Sequence, residues 1–504
     1  MYLNSNYNCK ELIELKKILT SDQTKLADNW TIKNEPISSI DLMERASKAF
    51  VDEVEQFLDP NKTIAVVCGT GNNGGDGLAV ARILMWKGYD VQPFLFLLNN
   101  ELSVDCEANL HKIDNVIRVE KNGDLPNFMG FDFIVDGLFG SGLNRKIEGW
   151  PGKIVDSINA CNSIVMSIDI PSGMYCDAIP EGDHIVQSDV VISFQRPKLS
   201  FFLPESSRYI KSYSTVDIGL DETFVQSCPG NYFILDNIIG KCLIQRKKYS
   251  HKGTYGHALI IAGSRGKMGA AVLSVRACLR SGVGLVTVHV PTCGVDILQI
   301  STPEAMCSID SHTSHFTSLP DISKFSCIGI GPGLGTTAES KDALAHLMNT
   351  ARIPIVIDAD GINLISEDSS LQAMIPENTI LTPHPKEFER LVGPWKDSLE
   401  RLERQLDFSK QHNCIVVLKD ADTVITDSSG KVYFNTTGNP GMATGGSGDV
   451  LTGIITGLLA QNYSALEAAL IGVYYHGLAG DEALIEKGGS ALLASDIIDN
   501  LHID

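Results

Sequence analysis

No Cys-x-x-Cys pair occurs in this chain, although it holds 12 cysteines. Several of them, Cys68, Cys327 and Cys414, stand inside apolar runs. Without closely spaced thiols there is no zinc-ribbon or thioredoxin-like signature. Free, buried thiols in a reducing compartment are the expectation rather than a disulfide framework. No apolar run approaches the ~18 residues of a spanning helix, so no membrane partner is expected. The opening MYLNSNYNCKELIELKK lacks a basic start followed by an apolar core. No signal peptide is expected, and the chain is placed in the cytoplasm. The sequons at Asn29, Asn61, Asn435 and Asn462 then count as chance matches. Positive charge is scarce: 41 Lys and Arg stand against 61 Asp and Glu, a net charge of −20. Such a surface repels phosphate backbones at long range and argues against nucleic acid as a partner. A nucleotide pocket can still be locally positive. Short repeats, heptad runs and low-complexity tracts are absent too.

What is present is glycine, 45 residues of it, clustered where apolar runs end. A length of 504 residues suggests two to four domains. The first part alternates predicted strands (64–68, 91–97, 133–135, 164–168, 190–194) with predicted helices (21–27, 39–57, 78–87, 103–111, 152–160). Such alternation implies right-handed crossovers and a parallel sheet covered on both faces. The pattern fades after 216–220, and a polar stretch with Cys228-Pro229-Gly230 reads as a linker. A second series follows, with strands expected at 258–262, 285–290, 327–330, 355–357, 379–381, 415–418 and 423–426. Helices fit 268–281, 338–349, 385–391 and 450–459. The expected division is 1–222, linker 223–234, and 235–504. Both parts are α/β: a Rossmann-like parallel sheet with helices on both faces, then an α/β sandwich.

The run TIAVVCGTGNNGGDGLAVARIL contains Gly69-Thr70-Gly71-Asn72-Asn73-Gly74, a literal G-x-G-x-x-G between a strand and a helix. Glycines there let backbone approach a ligand, and the following helix N-terminus favours an anion. A redox dinucleotide site also wants an acidic residue ending the second strand, and neither Asp90 nor Glu101 is convincingly placed. A structural turn, a phosphate site and a redox cofactor site all remain open. Two further strands end in an aspartate followed by a glycine loop: Asp136-Gly137-Leu138-Phe139-Gly140 and Asp169-Ile170-Pro171-Ser172-Gly173. In an open parallel sheet such tips converge on one crevice. Asn73, Asp136 and Ser172 are then candidate oxygen ligands for a cation, and one carboxylate among neutral oxygens suits a monovalent ion better than Mg²⁺. Helix capping is the plainer role for each aspartate.

GNNGGDGLAVAR, VDGLFGSG, SIDIPSG and the early LMERASKAF resemble the motifs of the NAD(P)H-hydrate epimerase domain, the YjeF N-terminal family, over about residues 10–222. The resemblance implies a Rossmann-like fold that takes hydrated nicotinamide dinucleotide as substrate. By motif, Asn72, Asn73, Gly74, Gly75 and Asp76 hold the substrate phosphates. Asn73, Asp136 and Ser172 fall on potassium-ligand positions. Gly140, Ser141, Gly142, Leu143, Asn144, Arg145, Lys146 and Asp169 contact the substrate. Asp169 is the expected acid/base group, with Lys146 as a possible assistant.

In the second part, Asn439 to Gly453 holds five glycines and a Ser/Thr set before a long apolar helix. That composition builds an anion hole of backbone N–H groups at a helix N-terminus. Asp449, beside it, can accept a proton from a hydroxyl that attacks a phosphoryl group. Gly331-Pro332-Gly333-Leu334-Gly335 ends another strand. Thr382-Pro383-His384-Pro385-Lys386-Glu387 presents His384, though a lone histidine is more often simply packed. Asp358 and Asp360 sit at a further tip and either orient a divalent ion or cap the next helix. KGTYGHALIIAGS, GPGLG, VIDADGINLI, TPHPKEF and GGSGDVLTG resemble the ribokinase-like superfamily, and within it the ADP/ATP-dependent NAD(P)H-hydrate dehydratase family, over about residues 235–504. The resemblance places the adenine nucleotide on Lys419, Asp420, Ala421, Asp422, Thr423 and Gly448. It places the hydrated dinucleotide on Gly333, His384 and Asp449. Asp420-Ala421-Asp422 departs from the small neutral residues expected after the lysine.

Together the two resemblances imply nicotinamide-nucleotide repair: epimerisation of NADHX and NADPHX, then dehydration of the S epimer. The implied requirements are ADP or ATP, Mg²⁺ and K⁺, in a homo-oligomer with no nucleic-acid or membrane partner. A ribokinase-like small-molecule kinase fused to a non-catalytic nucleotide-binding domain is the alternative.

Overall fold

The computed structural model describes residues 15–99 and 101–503. Two compact units divide them: one is Lys17–Gly230, the other runs from Asn231 and includes residues 15–16. The boundaries therefore differ from those expected. Within 223–234, read as a linker, most of the helix Glu222–Ser227 and the start of the strand Tyr232–Leu235 are found. Polar composition hides that helix, but Asp221 caps it by accepting from the Phe224 N–H at 2.9 Å, and Val225 is fully buried. The opening segment read for a signal peptide lies largely outside the described residues. No helix among the described residues is long and apolar enough to cross a membrane. Ten of the cysteines are free, but Cys242 is disulfide-bonded, against the expectation of free thiols throughout. Local spacing could not reveal it, because a disulfide requires proximity in space and not in sequence.

The N-terminal unit holds seven strands: β1 (Thr63–Cys68), β2 (Asp90–Phe96), β3 (Ile117–Val119), β4 (Phe133–Gly137), β5 (Ile164–Ile168), β6 (Ser188–Phe194) and β7 (Ile210–Val216). Their order is β3-β2-β1-β4-β5-β6-β7, and every neighbouring pair is parallel. This is the strand order of a dinucleotide-binding sheet with one strand added. In β1, Ile64, Val66 and Cys68 enter one core while Ala65 and Val67 enter the other. Burial on both faces is why the strand reads as an unbroken apolar run. The chain reverses its winding between β1 and β4, which opens the crevice above their carboxyl ends. Two helices bound it: α1 (Ser21–Asn34) and α2 (Asn72–Trp86). Helix α2 starts six residues earlier than the apolar pattern suggests, so Asn72 to Asp76 form its first turn and not a loop.

The C-terminal unit adds β8 (Tyr232–Leu235), β9 (His257–Ile261), β10 (Leu285–Val290), β11 (Met306–Ile309), β12 (Cys327–Ile330), β13 (Ile355–Ile357), β14 (Ile380–Leu381), β15 (Ile415–Leu418), β16 (Thr423–Thr426) and β17 (Val432–Asn435). With the short strand Lys16–Lys17 at one edge, the order is β8-β17-β16-β15-β14-β13-β12-β9-β10-β11. Strand β16 is antiparallel to both β15 and β17, and β9 to β15 run parallel. The tips of β12, β13, β14 and β15 deliver Gly331, Asp358, Thr382 and Lys419 to one end of the sheet.

Helices α3 (Met268–Arg280), α4 (Pro385–Val392), α5 (Ser447–Ala460) and α6 (Ala465–Lys487) complete the parts that matter for the site. Helix α6 escaped the sequence reading because it is apolar nearly all round, as a helix inside a core must be. Helix α5 presses on α3 through two glycines. A Cβ on Gly453 would stand 2.2 Å from the Ser274 carbonyl oxygen, and one on Gly457 would stand 1.8 Å from Ser281 Oγ. Gly453→Ala should therefore cost about 1–3 kcal/mol through overpacking. A lower midpoint in urea unfolding, with the slope unchanged, is the expected result.

Candidate functional site

Each unit carries a cavity at the carboxyl ends of its parallel strands. In the N-terminal unit it measures about 530 Å³, and its walls include Asn72, Asn73, Asp76, Gly140 to Arg145, and Asp169. Helix α2 begins at this wall with no side-chain cap on its first N–H groups. Those donors are left for a ligand anion. Gly74 must be glycine: a Cβ there would lie 1.8 Å from the Gly69 carbonyl oxygen, which is how the turn closes so tightly. Gly74 and Gly75 are buried behind the wall. Lys146 is not among the wall residues and pairs with Glu181 at 3.3 Å.

Beneath the wall, Asp136 is wholly buried. It accepts from Ser172 Oγ at 2.6 Å, the Ser172 N–H at 2.8 Å and Ser167 Oγ at 3.0 Å. Burial raises its pKa, and these donors only partly offset the rise. Asn73 Nδ2 donates to the Phe139 carbonyl at 3.0 Å, and Ser172 Oγ lies 3.1 Å from the same oxygen. The three residues expected as cation ligands therefore converge around one carboxylate and several neutral oxygens.

Asp169 takes a left-handed backbone conformation, φ +64°, at the tip of β5. A non-glycine residue there is strained, which marks a position held by its surroundings. Its Oδ1 accepts from the Phe194 N–H at 2.9 Å and meets Lys198 Nζ at 2.6 Å. Lys198 is 3% exposed; burial works against its charge, but Asp169 prevails and its pKa is raised. Lys198 was missed in the sequence, as was Asp28, which lines the cavity from α1. Burial, then the charge of Asp169, pushes Asp28 up to about 6. Asp76 is raised well above the carboxylate range by burial, then by the charges of Asp169, Asp28 and Asp105. Only contact in space joins these groups, so no local motif carries them.

The C-terminal cavity is larger, about 880 Å³. His384, Lys419, Asp420, Ala421, Thr423, Gly448 and Asp449 all line it. Gly333 and Asp422 are not among its wall residues. Gly333 accepts from Ser264 Oγ at 2.7 Å, and Asp422, half-buried, is pushed up to about 6 by burial and then Asp420. The unusual Asp420 is turned toward Arg401 at 2.7 Å.

Asp358 organises this floor. It stands at the N-cap of the helix Ala359–Ser366 yet makes no capping bond with its side chain. Instead Oδ1 meets Lys419 Nζ at 2.8 Å, and Oδ2 accepts from Thr452 Oγ1 at 2.7 Å. Asp360 is likewise committed, to Lys267 at 3.1 Å and the Gly335 N–H at 2.8 Å. Asp449, in the first turn of α5, has its pKa raised to about 6 by burial and then by Asp358, with Lys419 opposing. The α5 N-terminus has no side-chain cap and begins after Gly446, φ +95°. A Cβ on Gly448 would lie 3.1 Å from Lys419 Nζ, so ammonium and uncapped amides share one spot. Such an arrangement can receive an anion.

His384 caps α4: its Nδ1 accepts from the Lys386 and Glu387 N–H groups at 3.1 and 3.2 Å. Burial lowers its pKa, with Glu387 opposing, and Nε2 lies 3.2 Å from Glu387 Oε1. His476 was not anticipated. It lines the same cavity, lies 3.0 Å from the Ser447 carbonyl through Nε2, and burial lowers its pKa to about 4. Among the described residues, no group of three or more His, Cys, Asp or Glu is arranged to hold a metal by itself.

A family model described as NAD(P)H-hydrate dehydratase matches residues 258–502, and one described as YjeF-related protein N-terminus matches residues 39–200. The chain is 33% identical over 512 residues to the bifunctional NAD(P)H-hydrate repair enzyme Nnr of Moorella thermoacetica, with 96% of each chain covered. It is 34% identical to the protein of the same name from Coxiella burnetii, covering 93% of this chain and 95% of that one. Among solved structures, an ADP/ATP-dependent NAD(P)H-hydrate dehydratase from Bacillus subtilis, co-crystallised with ATP/Mg²⁺, is 33% identical with a TM-score of 0.48, over 52% of this chain and 94% of that one.

Lys198→Met leaves Asp169 buried without its counter-ion. The N-terminal unit should lose about 3–5 kcal/mol, as when one partner of a buried pair is removed. Urea unfolding followed by tryptophan fluorescence measures this.

Proposed function

The chain belongs to the family of bifunctional NAD(P)H-hydrate repair enzymes, and from that premise we propose how its residues divide the chemistry. The N-terminal unit interconverts the R and S epimers of NADHX and NADPHX. The C-terminal unit dehydrates the S epimer to NAD(P)H at the expense of ADP or ATP.

The observation that carries the dehydratase reading is Asp449, a carboxylate in the first turn of α5, beside the anion hole and outside the ion pairs that hold Asp358 and Asp420. Hydroxide is a poor leaving group, so the C6 hydroxyl is first phosphorylated. Asp449 takes the hydroxyl proton as its oxygen attacks the terminal phosphoryl group of the nucleotide. The uncapped amides of α5 and the Lys419 ammonium stabilise the charge on the transferring group. Phosphate then leaves C6 with its bonding electrons as N1 donates, and loss of a C5 proton restores the conjugated ring. His384 orients the dinucleotide; Lys419, Asp420, Ala421, Thr423 and Gly448 hold the nucleotide, while Gly333 and Asp422 lie outside the wall. Mg²⁺ would be held chiefly by the nucleotide phosphates, with Asp449 as the nearby carboxylate outside any ion pair, and would supply charge neutralisation on those phosphates.

In the N-terminal unit, Asn72 to Asp76 receive the substrate phosphates at the uncapped start of α2. Gly140 to Arg145 flank the substrate, with Lys146 outside the wall, and Asp169 is the acid/base group. Asn73, Asp136 and Ser172 fit K⁺, because one buried carboxylate among neutral oxygens matches a monovalent charge. The proposal extends to a cytoplasmic homo-oligomer acting on free dinucleotides. A net charge of −20 supports the exclusion of nucleic acid.

Purified protein with ADP, Mg²⁺ and S-NADHX should restore the near-ultraviolet absorbance of reduced nicotinamide. Asp449→Asn should lower that rate by about 10²–10⁴-fold, the usual contribution of a general base. Retention of wild-type activity by Asp449→Asn would refute the mechanism. Because the base must be ionised and Asp449 sits near 6 in the free protein, kcat/KM for dehydration should fall as pH drops through about 6. A flat profile from pH 5 to 8, about a unit or two on either side of that value, would contradict the assignment.

A further inference from the structure

Epimerisation at C6 needs more than one proton-transfer group. The two epimers differ only in the face of C6 that carries the hydroxyl. A route that keeps every atom opens the ring. The hydroxyl loses its proton, the C6–N1 bond breaks with its electron pair going to N1, and an aldehyde forms at C6. N1 gains a proton. Rotation about C5–C6 presents the other aldehyde face, N1 attacks it and gives up its proton, and the oxygen is reprotonated. One group must accept the hydroxyl proton while another supplies the proton to N1.

Asp169 is equipped for only the first of these tasks. Its Oδ1 meets two donors, the Lys198 ammonium at 2.6 Å and the Phe194 N–H at 2.9 Å, so the carboxylate is placed as an acceptor. Lys198 is committed to that pair and is 3% exposed. Of the other cations on the wall, Arg145 carries a guanidinium, a side chain that does not release its proton in proteins, and Lys25 is exposed and pairs with Asp22 at 3.7 Å.

We infer that Asp28 is the second catalytic group of the epimerase site, delivering a proton to N1 as Asp169 takes one from the C6 hydroxyl, and exchanging roles on ring closure. This rests on the epimerase reading of the N-terminal unit. Asp28 lines the same cavity as Asp169, from a different element. Helix α1 is held against the substrate loop: Ser21 Oγ donates to the Ser141 carbonyl at 2.8 Å, and the Ser21 N–H donates to Asp177 at 2.9 Å. Asp28 therefore comes from a fixed support and not a mobile arm. The neighbouring charges favour a proton on it: Asp169 and Asp76 act on it, and Lys198, the cation that opposes them, is taken by Asp169. Like charges that share a cavity split into one acid and one base.

The test uses the full-length chain and separated R- and S-NADHX, following interconversion by chromatography with the uncatalysed rate subtracted. Asp28→Asn is expected to lower kcat for epimerisation by about 10²-fold or more, with KM little changed. Asp28→Glu, which keeps the carboxyl, should recover most of that loss. ADP-dependent dehydration of S-NADHX by the same preparations should match wild type. If Asp28→Asn retains more than about a tenth of wild-type kcat, or if its loss lies in KM, the inference is overturned. The same holds if Asn and Glu fall alike. If Asp28→Asn unfolds at the assay temperature, the solvent deuterium isotope effect on wild-type kcat decides instead. A normal effect is expected, and its absence overturns the inference. Absence of epimerisation by the wild type would defeat the epimerase reading itself, a separate outcome.

Discussion

The ion pair between Asp358 and Lys419, 2.8 Å apart, fixes the floor of the C-terminal cavity. Asp358 is 1% exposed, so its charge is tolerated only because Lys419 and Thr452 together satisfy it. The same contact sets the distance between β13 and β15 tips and aims the ammonium at Gly448. Asp449 then has no cation of its own and remains available to a proton. The N-terminal unit reaches the same solution with different parts. There Asp169 and Lys198 form the buried pair, and Asp28 is the carboxylate left over. Both leftover carboxylates sit near 6, for the same reason in the same order: burial first, then the charge of the paired aspartate. A parallel sheet gathers its strand tips at one end, and this is the electrostatic consequence of gathering several aspartates there.

Much of the fold was legible because strands buried on both faces read as short apolar runs. Strands β5, β10, β12, β13, β15 and β16 were placed to the residue. Strands β3 and β11 were not, because they lie at sheet edges where burial is incomplete and the apolar signal fades; Ile117 is 44% exposed and Ile309 58%. Strands β8 and β17 were missed although largely buried, and length is not the reason, since β12, β15 and β16 are equally short. Helix α6 failed for the opposite reason, since a helix apolar on every side has no period to detect. Helices α2 and α5 were started too late. Their first turns consist of Asn, Gly, Ser and Asp, which read as loop, but that composition serves an N-terminus that must hold an anion.

The sites were legible to the extent that they are local. Asn72 to Asp76, Asp136-Gly137, Ser447 to Asp449 and Thr382 to Glu387 are contiguous, and each ends or follows a strand. Lys198, Asp28 and His476 reach their sites through the fold alone. Lys198 lies 29 residues beyond Asp169 in the chain, and Asp28 comes from a helix preceding the whole sheet. No spacing rule connects them. His384 shows the intermediate case: the motif announced it, but not that its ring would cap α4 and so be held by two backbone donors.

The central claim is that one chain carries two complementary repair activities. The most direct measurement supplies R-NADHX alone, free of the S epimer, to the purified protein with ADP, Mg²⁺ and K⁺. Full conversion to NADH, faster than uncatalysed epimerisation permits, is the predicted result. Conversion limited to the uncatalysed rate of R-to-S exchange, or accumulation of a stable phosphorylated product in place of NADH, would contradict it.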